Sequence, residues 1–164
     1  MSDFAIRSAT EADTSVLLTL IRELADYENL SAKVVVTEEV LRRWLFGERR
    51  VAEAVLGLWK GEPAAYAVFY PTYATFSGEA GLYLEDIFVR PDYRGRGCGA
   101  ALLRHLARLS RQRGFSRMSW AVLDWNQPAI GFYRHLGARP APQEWLAYLL
   151  EDAPLTRLAN DDTR

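Results

Sequence analysis

One stretch constrains this chain more than any other: Val89-Arg90-Pro91-Asp92-Tyr93-Arg94-Gly95-Arg96-Gly97-Cys98-Gly99-Ala100. Before it, Gly81 to Val89 is rich in Leu, Tyr, Ile, Phe and Val and reads as a strand. After it, Leu102, Leu103, Leu106 and Leu109 face one way at helical spacing, while Arg104, Arg108, Arg111 and Gln112 face the other; Gly114 closes that helix. A helix start leaves N–H groups unpaired and carries partial positive charge. Glycines let backbone approach an anion with no Cβ in the way. Arg94 and Arg96 add positive charge beside it. The combination reads as a cradle for a pyrophosphate, with a plain strand-to-helix turn as the bland alternative.

The context of the turn separates its rivals. A dinucleotide-binding unit needs a strand, helix and strand of one parallel sheet. Here Val51 to Trp59 and Ala64 to Tyr70 precede Gly81 to Val89 as strand-like segments, joined by the turn Lys60-Gly61-Glu62-Pro63 and a loop over Pro71 to Gly78. They predict an antiparallel meander. A Walker loop is excluded, since no Gly-Lys-Ser/Thr follows.

The remaining segments complete a mixed α/β domain. Phe4-Ala5-Ile6-Arg7 alternates as a first strand. Thr10-Glu11-Ala12-Asp13 resembles a capping box, with Asp13 in the place of Glu or Gln, and opens a helix through Val16, Leu17, Leu20, Ile21 and Leu24 to Tyr27-Glu28. Thr37 opens a second helix, stopped by Gly47. Met118 to Leu123 reads as a strand, Pro128 to Leu136 as a short helix and Trp145 to Leu150 as a last strand; Asn160 to Arg164 reads as a frayed tail. The order is β-α-α-β-β-β-α-β-α-β.

At 164 residues, 49% of them hydrophobic and 25% charged, the composition suits a single globular domain with its core over 4–150 and a C-terminal tail over 154–164. A net charge of -1 gives no sequence-wide basic field for nucleic acid. No apolar run approaches the ~20 residues that span a bilayer. With no signal-like start and one cysteine, the default expectation is a cytoplasmic protein without disulfides.

The turn resembles the cofactor signature of the GNAT N-acetyltransferases, Arg/Gln-x-x-Gly-x-Gly/Ala, here Arg94-Gly95-Arg96-Gly97-Cys98-Gly99. Phe4 to Thr10, Ile21 to Glu28, Leu82 to Val89 and Trp125 to Tyr133 resemble the spermidine/spermine (diamine) acetyltransferase branch, which includes the thialysine acetyltransferases. The resemblance spans roughly residues 4 to 150. It implies an α/β (α+β) GNAT fold, a mixed, mostly antiparallel sheet of six to seven strands flanked by about four helices. It also implies acetyl-CoA as cofactor, a small-molecule amine as substrate and a homodimer.

By that resemblance, Ile87, Phe88 and Val89 hold the pantetheine arm as an added strand would. Gly95, Arg96, Gly97, Cys98, Gly99 and Ala100 hold the pyrophosphate with Arg94, and Asn126, Gln127, Pro128 and Ala129 also line the cofactor. The amine lies near Tyr27, Glu28, Glu85, Ser119, Trp120, Ala121 and Glu144. An alkyl ammonium has a pKa near ~10.4, so a base must remove a proton before attack. Glu85 matches the family residue that does this through water, with Asp86 the weaker substitute; Tyr133 matches the general acid that protonates the leaving thiolate. Pro140-Ala141-Pro142-Gln143-Glu144-Trp145 is shorter and more proline-rich than in the family, which bears on polyamine preference. Cys98, His105 and His135 read as packing or surface residues. The alternatives are acetylation of protein lysines or an N-terminus, and a non-catalytic acyl-CoA-binding module.

Overall fold

The computed structural model describes residues 3–141 and 147–160. The chain divides into two compact units, Met1–Asp124 and Trp125–Arg164, each described by itself.

In the first unit the elements run β1 (Phe4–Ser8), α1 (Thr14–Tyr27), α2 (Glu38–Leu41), which continues as a π-helical turn over Arg42–Phe46, then β2 (Glu53–Trp59), β3 (Glu62–Ala74), β4 (Glu79–Val89), α3 (Cys98–Gln112) and β5 (Arg117–Trp120). The strands lie in sequence order in one sheet. β1 to β4 pair antiparallel, and β5 joins β4 in parallel. The expected meander is therefore present, but the sheet has five strands among the described residues rather than the expected six to seven; Ala147 to Leu150, expected in a last strand, do not join it.

Both faces of this sheet are covered. On one, Leu17 and Leu20 of α1 and Leu41 of α2 pack with Ala54 and Leu56 of β2, Tyr66 of β3 and Phe88 of β4. Period-two alternation then sends Val55, Ala65, Ala67 and Phe69 to the other face. There the buried Leu102, Leu103 and Leu106 of α3 close the second core layer. Gly57 marks a close approach: a Cβ there would clash with Cζ of Phe4, so β1 lays its aromatic ring across β2 at this point.

Ion pairs clamp the helices to the strands. Arg7 of β1 donates two hydrogen bonds of 2.7 Å to the Asp13 carboxylate, which also accepts the Thr10 N–H at 2.8 Å. Arg90, just past β4, forks onto Glu23 of α1 at 2.7 and 2.8 Å and donates to the Pro63 carbonyl at 2.7 Å. Arg113 holds the end of α3 to Glu53 of β2.

In three places the strands depart from the sequence reading by more than two residues. The loop expected from Pro71 is strand as far as Ala74. Pairing of β3 with β2 ends at Phe69, so β3 has one free side beyond that point and proline's missing N–H interrupts no ladder there. β5 ends at Trp120, not Leu123, because its pairing with β4 ends there. Ala147 to Leu150 form no regular structure, and Trp145 lies outside the described residues.

In the second unit, α4 spans Gln127–His135 and an unexpected α5 spans Asp152–Ala159. Leu155 and Leu158 of α5 are exposed. Among the described residues no helix is long and apolar enough to cross a membrane.

Asp13 supplies a stability test. The Arg7 guanidinium, against some burial cost, holds its carboxyl far below the usual carboxylate range. A depressed carboxylate contributes stability above its unfolded pKa of ~3.9 and loses it as pH falls below that value. Asp13→Asn should therefore cost about 1–3 kcal/mol at pH 7, and its deficit should shrink in denaturant titrations at pH 3.

Candidate active site

The site grows from a change of register in β4. Val68 pairs with Asp86 and Phe69 with Leu84, so Glu85 is an extra residue with no opposite number on β3. Such a bulge reverses the alternation of the strand. Leu82 and Leu84 point to the α3 face, whereas Asp86 and Phe88, just beyond the bulge, point to the α1 face. The parallel pairing with β5 stops at the same place, with Tyr83 opposite Ser119 and Leu84 opposite Trp120. From Glu85 to Val89, β4 thus presents a strand edge beside which an extended ligand arm fits by β-augmentation.

Carboxylates gather on the α1 face. Tyr66, fully buried, donates its hydroxyl to Asp86 at 3.2 Å, and Tyr70 donates to the exposed Glu85 at 3.2 Å. Tyr70 stacks on Tyr83 with ring centroids 5.2 Å apart. Burial pushes the Asp86 carboxyl up to about 6; the Tyr66 hydrogen bond opposes this, and the charges of Glu85 and Glu28 add to it. Burial also raises Glu28, at the end of α1. Among the described residues no lysine or arginine pairs with Glu28, Glu85 or Asp86. A cation is the natural complement of such a group.

The expected cradle lies at the start of α3. Gly95 and Gly97 have φ of +73° and +81°, and a Cβ on either would meet nothing within 4 Å. Gly97 caps α3 and has no side chain of its own to engage the first-turn N–H groups. Those groups and the open space before them fit a pyrophosphate. Cys98 is buried and its thiol is pushed up, chiefly by burial. Arg94 turns back from the cradle: its Nε–H donates to the Val89 carbonyl at 2.9 Å, and its guanidinium lies 4.6 Å from the Tyr27 ring centroid. It links the turn to the acidic end. Arg96 lies over Trp59 at 5.0 Å.

The remaining expected residues are distributed as follows. Ser119 and Trp120 are on β5, and Ala121 follows it. In the second unit, Asn126 is buried and caps α4, its Oδ1 accepting the Ala129 N–H at 3.2 Å; Gln127 and Pro128 form the first turn. Tyr133 is half-buried on α4, with Phe132 at 5.5 Å. Glu144 lies outside the described residues. Sequence reasoning missed Tyr66 and Tyr70. Their four-residue spacing on one strand placed both hydroxyls on one face, yet only the bulge reveals that this face carries the acids.

Residues 20–138 match the family model described as acetyltransferase (GNAT) family. The chain belongs to the GNAT acetyltransferase family. It is 39% identical to a thialysine N-epsilon-acetyltransferase of Sus scrofa, over 97% of this chain and 99% of that protein. It is 32% identical to a thialysine N-epsilon-acetyltransferase of Caenorhabditis elegans, over 98% and 100%. Among solved structures, an integron cassette protein from the mobile metagenome of V. cholerae superposes with a TM-score of 0.79 at 22% identity, over 98% of this chain and 99% of the other. Fold and family agree with the sequence reading, and the protein is an N-acetyltransferase.

Two glycines give opposite expectations. At Gly97 an alanine must adopt positive φ, at a cost of about 1–2 kcal/mol. At Gly131, inside α4 with nothing within 4 Å of an added Cβ, alanine gains up to about 1 kcal/mol of helix stability. Thermal denaturation should show Gly97→Ala melting lower than the parent and Gly131→Ala no lower.

Proposed function

We propose that this acetyltransferase moves an acetyl group from acetyl-CoA to a primary amine of a small cationic substrate, a lysine-like amino acid or a diamine or polyamine. The observation that carries the reading is the group of three carboxylates, Glu28, Glu85 and Asp86, on one face of the sheet without a cationic partner among the described residues. The names of the thialysine acetyltransferase relatives favour the lysine-like end of that range. A single catalytic domain over 1–164, a homodimer and cytoplasmic residence belong to the same reading, on family likeness alone.

The residues fit acetyl-CoA. Ile87 to Val89 offer a strand edge, the turn from Gly95 to Ala100 offers unpaired N–H groups, and Asn126 to Ala129 are assigned by motif. When bound, acetyl-CoA supplies an acetyl group activated as a thioester. Glu28 and Asp86 hold the ammonium group and keep the amine at the acidic end. Glu85 accepts a proton from it through water, which is needed because the free amine is scarce at pH 7. Tyr133 supplies a proton from its Oη as the reaction ends, an assignment that rests on its motif position.

The Asp86 carboxyl, at about 6, favours a second assignment of the base. A general base works best with a pKa near the operating pH. In that version Asp86 takes the proton and Glu85 binds the cation.

CoA release should occur with a thialysine, lysine, ornithine or diamine panel. Silence across the panel and with lysine-bearing peptides, with acetyl-CoA bound, would retire the transfer reading. The pH dependence separates the two carboxylates. As pH falls through about 6 Asp86 protonates, and its hold on a cation or its power as a base is lost. The kcat/KM profile should bend near that pH and lose the bend in Asp86→Asn. A rise in KM alone marks Asp86 as a cation holder, and a fall in kcat of about 10²-fold or more marks it as the base.

A further inference from the structure

Tyr66 is fully buried in the core beneath α1, among Leu17, Leu20, Leu56 and Phe88. A phenylalanine ring would fill that space equally well, so packing accounts for the ring and not for the hydroxyl. A hydroxyl left unbonded inside a core is costly. Tyr66 Oη avoids that cost by donating to the half-buried Asp86 at 3.2 Å. Among the described residues, the Asp86 carboxylate has no other side-chain donor.

The sheet register fixes this contact. Tyr66 lies opposite Phe88, and Val68 opposite Asp86, so Tyr66 meets Asp86 on the diagonal, a span within reach of an aromatic side chain. The Phe88 ring, its centroid 6.5 Å away, and the surrounding leucines hold the Tyr66 ring in that direction. Tyr70, four residues on, makes the corresponding bond to Glu85, but Glu85 is exposed and water reaches it.

The titratable groups that face Asp86 are Tyr66 of β3, Glu85 of β4 and Glu28 at the end of α1. Burial and the two carboxylates favour the neutral acid; of the groups present, only Tyr66 favours the anion. A protonated Asp86 loses its Coulomb hold on an ammonium group and cannot act as a base.

We propose that Tyr66 is a positioning residue of the amine site: its hydroxyl holds the Asp86 carboxylate as an anion on the face it shares with Glu28 and Glu85, and so sets the lower edge of the working pH range. The inference rests on the reading of that face as the amine site. Being fully buried, Tyr66 acts through Asp86 and not on the substrate itself.

Carbon-13 NMR of the substrate-free full chain follows the Asp86 carboxyl directly, its signal identified by its loss in Asp86→Asn. The midpoint, about 6 in the parent, should rise by about one pH unit in Tyr66→Phe, the effect of one hydrogen bond to a charged group. In Tyr70→Phe, which loses a hydroxyl from the same strand, it should move by less than about half as much. The low-pH bend of kcat/KM should rise with the Tyr66→Phe midpoint, and well above that bend the variant should recover to within about threefold of the parent. A tyrosine that served packing alone would lower kcat/KM by one factor at every pH, or lower the melting temperature and leave the midpoint in place; either result overturns the proposal. If Tyr66→Phe does not fold, 3-fluorotyrosine at position 66 decides. It keeps the ring and donates more strongly, so the midpoint should fall, and a midpoint that stays or rises overturns the proposal. An active parent whose bend does not follow the midpoint overturns the role of Tyr66 alone and leaves the transfer reading intact. A parent that acetylates no amine removes the transfer reading and this role together.

Discussion

Glu85 has no partner across from it on β3, since Val68 faces Asp86 and Phe69 faces Leu84. Without that extra residue, alternation would carry Asp86 to the α3 face with Leu82 and Leu84, under Leu102 and Leu106. A carboxylate there would meet only apolar side chains, and its ionised form would be prohibitively costly. With it, Asp86 reaches the Tyr66 hydroxyl and shares a face with Glu28. The same interruption coincides with the end of β4–β5 pairing, which frees the strand edge from Glu85 to Val89. One register change thus places the acids and opens the edge.

The acids are held at a cost to the fold. Asp86 is pushed up mainly by burial, so the folded protein binds its proton more tightly than the unfolded chain does. A carboxyl raised in this way destabilises the folded state as pH rises above its unfolded value. Packing recovers what the acids forfeit. Leu17, Leu20 and Leu56 around Tyr66 are fully buried, and the Arg90–Glu23 fork fixes α1 to the far end of β4. A residue strained against stability and supported on every side by a rigid core is a common property of functional sites.

How much of this was legible in the sequence depended on the range of the interaction involved. The meander, α1, α3 and the glycine turn follow from local periodicity and turn chemistry, and their bounds fall within a few residues of the observed ones. The Thr10–Asp13 cap was readable because its partners are three residues apart. The bulge at Glu85 was not, because it is defined by β3 as much as by β4. Tyr66 and Tyr70 stayed hidden for the same reason: a tyrosine on a strand reads as core until the register shows which hydroxyl meets a carboxylate. The continuation of β3 through Pro71 depends on where β2 stops pairing, and α5 lies mostly in the segment expected as a tail, with Pro154 in its first turn, where proline is tolerated.

Charge is sorted by the sheet in a protein whose net charge is only -1. Glu28, Glu85 and Asp86 gather toward the α1 face, while Arg96, Arg104 and Arg108 line the α3 face. Between the two layers lies a low-dielectric core of Leu, Ala and Phe side chains, and among the described residues neither cluster forms an ion pair with the other sign of charge. Opposite charges kept apart in this way retain their pull on outside ligands, because neither is neutralised by the other. Arg94 is the exception that joins the two ends: it begins at the glycine turn and finishes over Tyr27, next in sequence to Glu28. Its guanidinium lies over aromatic rings and its Nε–H is bonded to the Val89 carbonyl, and it forms no ion pair with those carboxylates. A salt bridge from Arg94 to Glu28 would have neutralised part of the charge that the proposed function assigns to an amine.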